Sequence, residues 1–204
     1  KALAPVRALL KETQNDRARV LALETCALAG DFEPARAAAR EDASEDVRSA
    51  AVRILGMRAR LSDLRPDEPA AEVRAELLRN ADDPAVVELA WREVGNPDAF
   101  IAQAARHALA RLKAVSANCD LADKSPQQRL ACLLILREYQ ISGGSDRLPE
   151  FLRDADPDVR FAAVQWVGEE RLKEHREPLV AALSAGPATA RLFGGYLSAL
   201  ERLE

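Results

Sequence analysis

An all-α fold is what this sequence predicts, a right-handed α-solenoid of about six helix pairs. Three observations predict it: a short phrase returns along the chain, each copy opens on a helix-capping signal, and no run of β-branched alternation competes. The clearest copies run from Asp154 to Val164 and from Asp42 to Val52, and they align without a gap. Ser125 to Leu133 is a third, with weaker copies at Asn15, Asp83 and Gly186. Repetition at roughly 20 to 50 residues signals an array whose units bury their apolar faces against their neighbours.

Taking Val47 as register mark, the equivalents are Ala18, Val86, Gln128, Val159 and Thr189. The steps are near thirty residues, except two near forty that coincide with polar, turn-rich insertions, Arg58 to Pro69 and Val115 to Lys124. Lengthening a surface loop costs little closure entropy, so such insertions are tolerated. The pairs span roughly 4–29, 33–57, 70–95, 97–139, 146–169 and 175–203, read as one repeat domain over 1–204.

The shorter first helices are Pro34 to Arg40, Glu72 to Arg79, Arg147 to Arg153 and Glu177 to Leu183. Each second helix starts behind Ser, Asp or Asn followed by Pro or an acidic residue. Proline there loses no hydrogen bond, and acids such as Glu45, Asp46 and Asp158 favour the positive end of the helix dipole. Behind the cap, Val159, Ala162, Ala163, Trp166 and Val167 fall at helical spacing, as do Val47, Ala50, Ala51, Ile54 and Leu55.

The pattern Asp-x-x-Pro-x-Val-Arg-x-x-Ala, carried by 42–57 and 125–169, resembles HEAT repeats of the short bacterial type named after phycobilisome lyases. The likeness extends more weakly over the rest of the chain. It implies that the arginine of the second helix contacts an acidic residue of a neighbouring unit. That role falls on Arg19, Arg48, Arg129 and Arg160, with Asp42, Asp46, Asp154 and Asp158 as partners. Val87 and Ala190 hold the arginine position in units three and six, so the ladder is expected to break there.

At 204 residues and 48% hydrophobic, the chain is long enough for a continuous core, and 4% aromatic content suits stacked Ala- and Leu-rich helices. A net charge of −4 argues against a broad nucleic-acid surface, because phosphate contacts need clustered cations. No stretch approaches the ~20 apolar residues of a membrane span. The chain opens on Lys1 rather than Met, which reads as a piece of a larger protein or a processed chain.

Cys26 sits in an apolar helical run and reads as core. Cys119 lies in an insertion and Cys132 takes the repeat position of Ala163. A Cys119–Cys132 disulfide would tie that insertion to the following helix in an oxidising compartment; elsewhere both are thiols. Two cysteines without nearby histidines lack a tetrahedral metal set. His107 and His175 read as ordinary helix-surface residues, and Gly143-Gly144 as a turn. Gly194-Gly195 reads as a close-packing site in the last helix. Paired acids such as Glu169-Glu170 and Asp82-Asp83 are explained by helix starts and turns, and Trp91 and Trp166 by the core.

The functional expectation is a non-catalytic scaffold, without cofactor, whose concave helical surface takes a protein or peptide partner or neighbouring domains of its own chain. Its expected groove residues are Arg53, Glu88, Arg137 and Gln165. An alternative rests on Asp154 to Leu203, which resembles the repeat section of large secreted bacterial proteins. Those join a sugar-dehydrogenase-like propeller, HEAT repeats and a c-type haem domain. This would imply an accessory segment in an extracytoplasmic, periplasmic setting and would favour the cysteine pairing. Neither the propeller nor a haem motif is present in these residues, so no activity follows. A minor alternative, a HEAT-like DNA glycosylase or bilin lyase, needs a cationic groove, and Arg106, Arg111 and Lys113 supply only a short strip.

Overall fold

The structure is a computed structural model that describes residues 3–58, 68–80, 84–186 and 189–204. The described residues are all-α and contain no strand. In chain order the helices are α1 (Ala4–Glu12), α2 (Asp16–Leu28), α3 (Glu33–Glu41), α4 (Glu45–Arg58), α5 (Ala71–Asn80) and α6 (Ala85–Glu93). There follow α7 (Ala99–Arg111), α8 (Pro126–Glu138), α9 (Leu148–Phe151), α10 (Pro157–Glu169), α11 (Arg176–Ser184) and α12 (Ala190–Arg202). Single 3-10 turns, Ser145–Arg147 and Lys173–His175, lead into α9 and α11.

The chain divides into two compact units, Lys1–Leu112 and Lys113–Glu204. In the first, α2 packs on α4, α4 on α5 and α5 on α7; α1, α3 and α6 pack on α2, α4 and α7 respectively. In the second, α8, α10 and α12 form the succession, with α9 and α11 against α10 and α12.

Seven helices share one register: α2, α4, α5, α7, α8, α10 and α12, marked by Ala18, Val47, Val73, Ile101, Gln128, Val159 and Leu192. Four residues after each mark stand Ala22, Ala51, Leu77, Ala105, Cys132, Ala163 and Tyr196, and every one is buried. In each unit that row belongs to the core. Three residues before the mark sits the cap. Asn15, Ser44, Ser125, Asp156 and Thr189 each accept the N–H of their own mark residue, and Asp98 caps through Phe100. These side chains satisfy N–H groups that a helix start leaves unpaired.

The stops repeat as well. Twelve residues after the mark, Gly30, Lys113, Gln140 and Arg171 all adopt positive φ (83°, 54°, 48° and 52°). Beyond three of them the next N–H closes back on a carbonyl of the last turn: Asp31 on Cys26, Ile141 on Leu136 and Leu172 on Val167. This is the left-handed stop that pairs orphan carbonyls.

Two marks differ from the sequence reading. Thr189 is the N-cap of α12, so the mark is Leu192. Val86 lies in α6, a short helix packed on α7, whereas Glu72 to Arg79, read above as a first helix, is α5 of the main succession. Consecutive marks then lie 26 to 33 residues apart, and the two long steps disappear. The physical reason is that an acidic residue before Pro84 imitates the cap phrase, while the true cap position of α5 holds Ala70.

Of the expected insertions, Val115 to Lys124 forms turns, with Val115 and Leu121 buried as anchors. Residues 59–67 of the other, together with Asp82, Asp83, Pro187 and Ala188, lie outside the described residues. His175 is buried, not on the surface.

Candidate interaction surface

The arginine one residue after the mark forms rungs to acidic side chains further along the chain. Arg19 Nη1 meets the Asp42 carboxylate at 2.9 Å. Arg48 donates through Nε and Nη2 to both oxygens of Glu68 at 3.2 and 2.8 Å. Arg74 Nε lies 2.9 Å from the Glu93 carboxylate. Arg129 grips Asp154 with Nε and Nη2 at 2.7 and 2.8 Å. Such bidentate, charge-assisted pairs fix direction as well as distance.

The rungs also hold backbone. Arg48, Arg74 and Arg129 each donate Nη1 to carbonyls five or six residues before them, at Asp42 and Ala43, at Glu68 and Pro69, and at Lys124. Asp42, Glu68 and Asp154 in turn accept the N–H two residues on, at Ser44, Ala70 and Asp156. One ion pair therefore clamps the end of one helix pair to the entry turn of the next. Burial pushes the Asp154 carboxyl up, but Arg129 and the Asp156 N–H outweigh it and hold it below its usual range. Asp16 is likewise lowered, first by the Ser44 hydroxyl and then by Arg19.

Measured against the expected ladder, Asp42 and Asp154 are partners as assigned. Asp46 and Asp158 are not: both are exposed in the first turn of their helices, and Asp158 meets Arg191 at 3.3 Å. Glu68, five residues before its mark, takes the place expected of an aspartate for Arg48. Arg160 has no rung. Five residues before Leu192 the sequence holds Pro187 where a carboxylate is needed, and Arg160 Nε is buried without a hydrogen-bond partner among the described residues. The third unit is not a break, because Arg74 supplies it. Its signal was available: Glu68 and Val73-Arg74 repeat the spacing of Asp42 and Val47-Arg48.

Two glycines set the closest helix approaches, both nine residues after the mark. A Cβ on Gly56 would lie 2.2 Å from the Cβ of Asn80, and one on Gly168 would lie 2.8 Å from the Cα of Ala199. Asn80 and Ala199 are each seven residues after the next mark. Gly194, expected at a close approach, faces open space, and Gly195 lies against the Phe161 ring.

Of the expected groove residues, Arg53 and Gln165 are exposed and occupy the same repeat position, six after the mark; Arg79 and His107 are exposed there too. Glu88 is exposed but belongs to α6, outside the succession. Arg137 is committed to the fold: it pairs with Glu169 at 2.6 Å and Glu170 at 2.9 Å, and Glu170 also accepts Trp166 Nε1 at 2.8 Å. In the first unit, Leu28 and Met57, ten residues after their marks, are 71% and 66% exposed.

A cleft of about 690 Å³ opens in the first unit, lined by Arg7, Lys11, Arg19, Glu33, Glu41 and Asp42 above Leu23 and Val47. Three of its charged side chains are cations and three are carboxylates. Among the described residues no group of three or more His, Cys, Asp or Glu could hold a metal ion, and no helix is long and apolar enough to cross a membrane.

All three cysteines are free thiols. Cys26 is buried, and desolvation pushes its thiol up. Cys119, half-buried in the turns before α8, and Cys132, buried on α8, lie within hydrogen-bonding reach of each other. Arg147 donates to the carbonyls of Ala117 and Cys119 at 2.7 and 2.9 Å, and pairs with Glu150 at 2.6 Å.

No protein-family model matches the chain, and no curated protein matches it. Among solved structures, the crystal structure of an engineered protein aligns over 100% of this chain and 96% of its own at 15% identity, with a TM-score of 0.34. A likeness that low carries no argument about fold or function.

Proposed function

We propose that the chain is a non-catalytic interaction scaffold, a right-handed α-solenoid of HEAT-like helix pairs that presents the outer rows of its second helices to a protein or peptide partner. The observation that carries this reading is the recurrence of one rung geometry at Arg19, Arg48 and Arg129, each paired with a carboxylate five residues before the next mark. Rungs of this kind hold the stack with the half-buried charges, while Arg53 in one unit and Gln165 in the other stand exposed at the same repeat position. Repeat arrays bind through such extended surfaces.

Site-specific photocrosslinkers at Arg53 and Gln165, introduced in the organism that encodes the protein, test it. Crosslinks to one recurrent polypeptide, lost on Arg53→Glu, are expected. Equal labelling from a control probe at Arg36, half-buried on α3, would overturn the assignment of that row.

A further inference from the structure

We infer that Cys119 and Cys132 form a reversible dithiol–disulfide site with divided roles, Cys119 the entering nucleophile and Cys132 the resolving thiol, taking low-molecular-weight disulfides as oxidant. This stands apart from the scaffold reading.

The geometry is asymmetric in each respect that thiol exchange requires. Cys119 is partly open to solvent, whereas Cys132 is fully buried on α8. An external disulfide therefore reaches Cys119 first. Around it, the guanidinium of Arg147 is held in place by two backbone carbonyls of the same loop, by Glu150, and over the Phe151 ring at 6.0 Å. Lys124 supplies a second cation from the loop. Thiolates form where a hydrogen-bond donor and positive charge converge on a partly exposed sulfur. Here the Cys132 thiol is that donor, and Arg147 and Lys124 are the cations, so Cys119 is lowered to about 6 against the opposing effect of burial. Cys132, donating its proton and buried, is pushed strongly up.

The exchange then balances in two displacements. The Cys119 thiolate attacks one sulfur of RSSR, forming a mixed disulfide and releasing RS⁻. With the Cys119 charge consumed, Cys132 no longer donates to a thiolate and yields its proton to the departing RS⁻ or to water. The Cys132 thiolate attacks the Cys119 sulfur and expels the second RS⁻. Two protein thiols are oxidised to one disulfide, and one external disulfide is reduced to two thiols. The product joins the turns before α8 to α8 itself, at a position where four other helices of the register carry Ala22, Ala51, Ala105 and Ala163.

The shift works mainly on pH dependence, less on raw speed. At pH 7, lowering a thiol from 9.0 to about 6 raises its thiolate fraction about ninetyfold. The same shift costs about twentyfold in intrinsic nucleophilicity, leaving a net gain of about fourfold.

Reduced wild-type protein is treated with oxidised glutathione, acid-quenched at intervals and peptide-mapped; alkylation by iodoacetamide is followed from pH 4.5 to 9.5 by the same mapping. The expected results are a Cys119–Cys132 linked peptide in the wild type, and alkylation of Cys119 with a midpoint near pH 6. In Cys132→Ala, which places the repeat's own residue in that slot, glutathione is expected to persist on Cys119. In Cys119→Ser, Cys132 stays unmodified over the same interval. Arg147→Gln is expected to move the alkylation midpoint upward. Cys132 modified first, a mixed disulfide on Cys119 that never closes in the wild type, or a wild-type midpoint at the ordinary thiol value would each overturn the proposal. The wild-type measurements decide it even if a variant fails to fold.

Discussion

Gly168→Ala and Gly194→Ala are the same chemical change in the same unit, yet the structure assigns them different outcomes. In Gly194→Ala the new methyl meets nothing within 4 Å, so only the backbone term remains, a gain of about 1 kcal/mol for alanine over glycine inside a helix. In Gly168→Ala the methyl would sit 2.8 Å from the Cα and 2.9 Å from the Cβ of Ala199. Carbon atoms settle about 3.5 to 4.0 Å apart, so α12 has to retreat from α10 by roughly 0.7 to 1 Å. Overpacking of that kind costs about 1 to 3 kcal/mol, which offsets or exceeds the propensity gain. The two variants should therefore differ by about 1 to 3 kcal/mol, with Gly168→Ala the weaker. At about 2 to 4 °C per kcal/mol for a chain of this size, the melting transitions separate by several degrees. Urea titration followed by circular dichroism gives the same comparison as a shift in midpoint. A Gly168→Ala protein as stable as Gly194→Ala would refute the close approach and, with it, the α10–α12 packing that defines the repeat.

Three further outcomes follow from the rungs and stops. Arg129→Met strands the Asp154 carboxylate, which is 8% exposed, and should cost about 3 kcal/mol in urea titrations against wild type. Asp154 has a depressed folded pKa, so its stabilisation is present above the ordinary carboxylate value and is lost as pH falls through the depressed one. Between about pH 5 and 2, Asp154→Asn should thus lose less stability than wild type, measured as urea midpoints across that window. Arg171 and Gln140 occupy left-handed stops, and glycine at either should stabilise by up to about 1 kcal/mol in thermal melts.

Much of this arrangement is legible in the amino-acid order, and the misses have physical causes. Arg129 with Asp154 and Arg19 with Asp42 are readable because each acid opens a cap phrase ending in Arg at a fixed distance. Arg48 with Glu68 is hidden because a glutamate replaces the aspartate and Ala70 replaces the cap residue, so the phrase dissolves while the spacing survives. Arg137 looks like an exposed groove residue by helical phase, yet two glutamates one helix away claim it, and sequence distance gives no sign of that. The glycine misassignment has the same origin. Gly194-Gly195 is the conspicuous pair, but only the packed neighbour, Ala199, reveals that Gly168 sets the approach.

The shared register is tested most directly at its least obvious rung, by a double-mutant cycle on Arg48→Met and Glu68→Gln. The two side chains are 11% and 1% exposed and joined at 2.8 Å. Each single change strands the other partner, so the account predicts a coupling energy of about 2 kcal/mol from urea unfolding. A coupling within about 0.3 kcal/mol of zero would mean that Glu68 does not occupy the rung, and the register that places α5 in the main succession would be wrong.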